Sequence, residues 1–283
     1  MKKVFKNVGL VARYDKKQAL KLAKELAEYL SGRGLQVFFE DSLAGKVNFS
    51  GGKMIPLKNM KTDFVITIGG DGTILRTCLE LPEPEPPILA VNMGVRGFLT
   101  EVEPKGACGA VERILRGEFK IEKCAKLAVS TDEQVLPDAL NDVVISAGEP
   151  SKILYTQIYK DDEPILKCQA DGLIASTQTG STGYSLSAGG PVLDPEVAAF
   201  VLTPICSLTV FRSLIFSADS TVTIEAIRPK EMLVLIDGNY RQVVTSKNPT
   251  LTITRSQNVA SFIRFKDDFY NRLRSRLLFK GMG

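Results

Sequence analysis

The chain has 283 residues, 36 basic and 32 acidic, with 44% hydrophobic and 24% charged residues. That length suits two domains of ordinary size, and the scattered, slight basic excess argues against a nucleic-acid surface. No apolar run approaches the roughly eighteen residues of a membrane span, no apolar stretch follows Lys2 and Lys3 to make a signal peptide, and histidine is absent altogether.

Residues 8–12 read as a first strand, with Asp15 as N-cap of the helix that follows. From Lys16 to Leu30, apolar residues recur at Ala19, Leu22, Ala23, Leu26, Tyr29 and Leu30, one face of an amphipathic helix that Gly32 and Gly34 stop. Residues 35–39 form a second strand, so the first two strands and the helix make a β-α-β unit of a parallel sheet. Residues 40–60 lack periodicity and read as a long loop. The third strand, 65–68, runs straight into Gly69-Gly70-Asp71-Gly72-Thr73, and a helix is expected after Thr73.

A strand that breaks into glycine before a helix start turns backbone N–H groups and positive potential toward an anion. Gly69, Gly70, Gly72 and Thr73 are therefore candidate phosphate binders. Asp71 would repel a phosphate there unless it has another task, and the obvious one is to accept a proton from a hydroxyl attacking phosphorus. The alternative is a tight turn in which Asp71 is only a local hydrogen-bond partner.

Pro82, Pro84, Pro86 and Pro87 mark a turn-rich connection to a fourth strand at 88–91, and residues 92–99 make a second glycine-bearing loop at its end. Ligands of open α/β sheets bind outside the carboxyl ends of the strands, so the two glycine loops are expected side by side. A helix over 104–119 ends near Gly117. Beyond it the pattern changes to short β-rich runs at 127–129, 139–146, 153–159, 173–176, 214–217, 221–227, 233–236, 250–254 and 260–265. A basic amphipathic helix over 267–278 closes the chain.

The expected architecture is an α/β N-terminal domain with a parallel sheet (1–120) carrying the first glycine loop. A mostly antiparallel, all-β C-terminal domain follows (121–262), and a helical segment (263–283) returns to the first domain. Cys78, Cys108, Cys124, Cys168 and Cys206 are too widely spaced for a disulfide frame or zinc site and read as core residues of a cytoplasmic protein. Without histidine, acid–base work falls to carboxylates. Any metal is then a hard ion held by oxygen, and no side-chain metal site is assigned.

Residues 171–191 are dense in Ser, Thr and Gly, with Tyr184 among them. Small hydroxyl residues and glycines let donors approach a polar ligand closely, and Tyr184 could cover a flat ring; the other reading is a Ser/Thr-rich loop without a ligand. Taken in order and spacing, the 69–73 loop, the 92–99 loop, Asn141-Asp142 and the 171–191 stretch resemble the NAD kinases. The first motif is shared with diacylglycerol kinases, sphingosine kinases and phosphofructokinases, whereas the 171–191 stretch discriminates among them.

The resemblance implies that Asp71 takes the proton from the 2′-hydroxyl of the adenosine ribose of NAD. It further implies dinucleotide contacts from Gly72, Arg76, Phe98 and Lys152, and adenine and ribose contacts from Asn141 and Asp142. Asp171 would meet the nicotinamide end across a subunit interface. Thr182, Gly183, Tyr184 and Ser187 would wrap the substrate, with a further contact from Asn239. A magnesium or other divalent ion, ATP or polyphosphate as donor, NADP as product and a homodimer or homotetramer follow from the same resemblance.

The chain departs from the family pattern in four respects. Asp142 stands for a Glu, Gln169 for a basic residue, and Gln178 and Gly183 for Pro and Ala. Ser207-Leu208 follow Cys206 where Pro-His is common. The competing functions are a kinase for another alcohol, such as a lipid, and a non-catalytic NAD(P)-binding protein.

Overall fold

The computed structural model describes residues 5–94, 97–149, 152–266 and 269–277. Residues 95 and 96 of the second glycine loop and residues 267, 268 and 278 of the expected last helix lie outside the described residues. The chain divides into two compact units, Met1–Lys123 with Ala260–Gly283, and Cys124–Val259.

In the first unit, β1 (Asn7–Ala12) leads to α1 (Lys17–Gly32) and β2 (Gln36–Glu40). A short strand, β3 (Lys53–Ile55), precedes β4 (Phe64–Gly69), α2 (Asp71–Glu80), β5 (Ile88–Asn92) and α3 (Ala107–Arg116). The sheet runs β3-β2-β1-β4-β5, every neighbouring pair parallel. β4 is buried at all six positions, which is why its sequence is a continuous apolar run rather than an alternating one.

α1 buries Ala19, Leu22, Ala23, Leu26, Ala27 and Leu30, a stripe at 3.6-residue spacing, in one core with Val8 and Leu10 of β1 and Val111 and Ile114 of α3. The Asp15 cap does not form: Lys16 occupies the N-cap without a side-chain bond, and Asp15 instead takes the Arg13 guanidinium at 2.7 and 2.9 Å. The expected loop at 40–60 contains β3, which pairs with β2 through Phe39↔Met54, so β4 is the fourth strand and not the third.

The second unit is antiparallel, as expected, but holds more strands than the sequence showed. Its elements are β6 (Lys120–Ser130), β7 (Val135–Ala139), β8 (Asp142–Ser146), β9 (Leu154–Lys160), β10 (Glu163–Ala170) and β11 (Gly172–Ser176). One helical turn, α4 (Tyr184–Ser187), precedes β12 (Ala199–Ile205), β13 (Leu214–Ser217), β14 (Val222–Arg228), β15 (Glu231–Ile236), β16 (Tyr240–Thr245) and β17 (Thr250–Arg264). One sheet has the order β13-β12-β11-β8-β15-β16, and β10-β9-β14-β17 form a second ladder.

The expected strand over 139–146 is broken into β7 and β8 at Leu140-Asn141, and the two runs at 250–254 and 260–265 are one strand, β17. The end of β17 returns to the first unit, where Phe262 pairs with Ile88 of β5 in parallel, and α5 (Phe269–Leu277) follows. Among the described residues, no helix is long and apolar enough to cross a membrane.

Candidate functional site

In the first unit the site is built at the carboxyl end of β4. Gly69 closes the strand where a Cβ would come within 2.7 Å of Thr73 Cβ, so the tight approach of loop to helix needs a glycine. The Gly70 carbonyl accepts the N–H of Thr73 at 3.0 Å and of Ile74 at 3.3 Å. This starts α2 at Asp71, so Asp71, Gly72 and Thr73 form its first turn instead of the loop before it. An acidic side chain there sits in the positive potential of the helix N-terminus.

The two glycine loops are joined by hydrogen bonds. Met93 N–H donates to Gly69 O at 2.8 Å, Phe98 N–H to Asp71 Oδ2 at 2.8 Å, and Leu99 N–H to Asp71 Oδ1 at 3.1 Å. Lys16 Nζ, at the carboxyl end of β1, donates to Met93 O at 3.1 Å. Phe98 is buried, with its ring edge-on to Phe269 at 5.3 Å. Arg76, on α2, makes a two-pronged ion pair with the buried Glu40 at the end of β2. That pairing could not be read locally, because the partner lies 36 residues away.

In the second unit, Asn141, Asp142 and the Ser/Thr/Gly stretch come together. Thr177 N–H donates to Asn141 O at 2.9 Å and Thr177 Oγ1 to Leu140 O at 2.6 Å. Gly180 lies so close that a Cβ there would be 2.7 Å from Asn141 Cα, and a Cβ on Gly183 would face Asn141 Nδ2 and Asp142 Oδ2, each at 3.9 Å. Thr182 is buried and bonded to Thr179 O at 3.0 Å, whereas Tyr184 and Ser187, on α4, are partly open to solvent, Tyr184 at 47%. Asn141 Oδ1 is a buried acceptor with no partner among the described residues.

The residue that sequence reasoning passed over is Asp237. It sits in the β15–β16 hairpin with φ 49°, followed by Gly238 at φ 67°, and Asn239 N–H closes the turn onto Ile236 O at 3.0 Å. Two successive left-handed residues are what a tight primed turn requires, and Asp-Gly between two β runs was the available signal. The Asp237 carboxylate accepts three N–H groups, from Leu140 at 2.8 Å, Asn141 at 2.7 Å and Asp142 at 3.0 Å. These bonds hold the corner between β7 and β8 open and explain the broken strand.

Burial, and then the neighbouring Asp237 charge, push the Asp142 carboxyl up to about 7. Burial also raises Asp237, against the pull of the three N–H groups and the Lys126 charge. Asn239 turns its amide back onto Asp237 O at 2.7 Å. Lys152 is exposed and pairs with Glu149 at 2.6 Å, and Asp171 is exposed at the start of β11, its N–H on Ile205 O at 3.0 Å. Among the described residues, no three His, Cys, Asp or Glu side chains converge to hold a metal.

Two family models match the chain, the ATP-NAD kinase N-terminal domain over residues 8–119 and the ATP-NAD kinase C-terminal domain over 140–265. The NAD kinase of Methanothermobacter thermautotrophicus is 38% identical over 277 residues, 97% of each chain. That of Thermococcus sibiricus is 39% identical over 93% of this chain and 95% of its own. The crystal structure of an Archaeoglobus fulgidus NAD kinase in complex with ATP superposes with a TM-score of 0.78 at 26% identity, covering 95% of this chain and 99% of that one. Yeast NADH kinase complexed with NADH shares the fold, with a TM-score of 0.89 at 23% identity over 99% of this chain and 90% of that one. The glycine loop on β4, the Asn141-Asp142 corner and the whole-length similarity agree: the chain belongs to the NAD kinase family.

Proposed function

We propose that the chain transfers the γ-phosphoryl group of ATP to the 2′-hydroxyl of the adenosine ribose of NAD, giving NADP. The observation that carries this reading is the Asp71 carboxylate at the first turn of α2, directly after a strand that ends in glycine. Asp71 accepts the hydroxyl proton as the oxygen attacks the γ-phosphorus. The bond from that phosphorus to the bridging oxygen breaks, and ADP leaves with the electron pair.

Gly69, Gly70, Gly72 and Thr73 bring backbone to the donor phosphates. Asn141 and Asp142 hold adenine and ribose, and the unpartnered Asn141 Oδ1 suits an exocyclic amine. Arg76, Phe98, Lys152, Asp171, Thr182, Gly183, Tyr184, Ser187 and Asn239 supply the remaining dinucleotide contacts. A magnesium ion would be held mainly by the donor phosphates and would neutralise the charge on their oxygens, since such ions are commonly bound by one or two carboxylates and the phosphates themselves. Polyphosphate is a second donor by the same chemistry. The protein works as a cytoplasmic homodimer or homotetramer, a reading that rests on the resemblance alone.

The test is incubation of purified protein with NAD, ATP and magnesium, with diacylglycerol as a competing alcohol. Equal amounts of NADP and ADP are expected. ADP formed only with the lipid, or bound NAD without any ADP, would overturn the assignment.

A further inference from the structure

The loop at residues 97–99 does more than adjoin Asp71. Both carboxylate oxygens are tied, Oδ2 to Phe98 N–H at 2.8 Å and Oδ1 to Leu99 N–H at 3.1 Å. Gly97 presses on the same group, since a Cβ there would lie 2.6 Å from Asp71 Cγ. Bonds from two successive N–H groups, one to each oxygen, fix the plane of the carboxylate.

The loop is in turn braced from behind by the last segment of the chain. The Phe98 ring meets Phe269 of α5 edge-on at 5.3 Å, and the Arg272 guanidinium lies 5.9 Å from the Phe98 ring centre. Leu99 O accepts from Arg264 Nη1 at 2.8 Å. Arg264 and Arg272 are both buried and share the carboxylates of Glu101 and Glu122, at 3.3 and 2.5 Å for Arg264 and at 3.8 and 3.7 Å for Arg272. Phe265 N–H adds a bond to Glu101 at 2.8 Å. Two buried cations against two carboxylates make a rigid block, because removing any member strands a charge.

We propose that Gly97, Phe98 and Leu99 form a clamp that sets the position of the Asp71 carboxylate, and that Phe269 and Arg272 of α5 are positioning residues that hold the clamp closed. The C-terminal helix thereby acts on phosphoryl transfer through the clamp. This rests on Asp71 being the proton acceptor. Small displacements of a reacting group are costly: about 1 Å is worth on the order of 10²-fold in rate. A relaxed clamp therefore lowers turnover while sparing the capture of ATP; Phe98 is itself a dinucleotide contact, so KM for NAD rises with it.

The experiment compares full-length Phe269→Ala, Phe269→Tyr, Gly97→Ala and Asp71→Asn, with kcat per folded molecule and KM for NAD and ATP measured separately. Phe269→Ala is expected to lose about tenfold in kcat, part of the 10²-fold scale for misplacement, with KM for ATP held. Phe269→Tyr, which keeps the ring edge, restores the rate. Gly97→Ala, which displaces the carboxylate directly, shows the same split and carries the test if Phe269→Ala does not fold. A merely structural role would lower the melting temperature of Phe269→Ala and leave kcat per folded molecule unchanged. That result, alongside an inactive Asp71→Asn, overturns the clamp and leaves Asp71 in place. An active Asp71→Asn overturns the reading beneath it.

Discussion

Replacing Asp142 with Asn should change how the protein responds to pH, by an amount the structure sets. The Asp142 carboxyl is 7% exposed, next to Asp237, and its pKa is lifted from an ordinary 3.8 to about 7 by burial first and the second carboxylate next. A carboxyl with a raised folded-state value takes up a proton on folding. Its contribution is fully present below 3.8 and is lost as pH rises through about 7.

Each pH unit of that window is worth about 1.4 kcal/mol, so a window of roughly three units corresponds to about 4 kcal/mol. Asn keeps the shape and cannot ionise. Urea unfolding followed by far-ultraviolet circular dichroism, at pH steps from 4 to 9, measures the difference between parent and variant. The variant should gain on the parent steadily between pH 4 and 7 and hold its advantage above that. A difference that stays constant over the whole range would refute the reasoning, because the Asp142 carboxyl would then have the same proton affinity folded and unfolded.

Arg76→Ala leaves the buried Glu40 without its guanidinium, and breaking a pair of that kind costs about 3–5 kcal/mol. An unaltered urea midpoint would contradict it. Asp237→Ala removes the acceptor of three backbone N–H groups in the β7–β8 corner, and each buried donor left without a partner costs about 1–3 kcal/mol. Hydrogen exchange should therefore accelerate at Leu140, Asn141 and Asp142, and unchanged protection there would show that the hairpin carboxylate does not hold that corner.

The parts of the fold legible in the sequence are those that depend on neighbours along the chain. The buried parallel strand β4 is one apolar run, and α1 repeats its buried residues at helical spacing, so both were visible. Strands that break these rules were not. β10 is exposed along its first half, β16 alternates between half-buried and exposed, and β7 and β12 contain Pro137 and Pro204, which argue against a strand when read locally.

The site shows the same division. Gly69-Gly70-Asp71 announces an anion-binding helix start, and the Ser/Thr/Gly stretch announces a polar ligand. What orients these groups comes from far along the chain: Phe98 and Leu99 on Asp71, Glu40 on Arg76, and Asp237 on the Asn141-Asp142 corner. The missing N-cap has a local cause instead, for Asp15 pairs with a guanidinium two residues away rather than with the helix.

The most direct measurement is of NADP formation by Asp71→Asn in parallel with calorimetry of NAD binding. An unchanged dissociation constant is expected, with turnover lower by about 10²–10⁴-fold, the usual contribution of a placed general base. Turnover close to that of the parent protein, at equal NAD affinity, would contradict it.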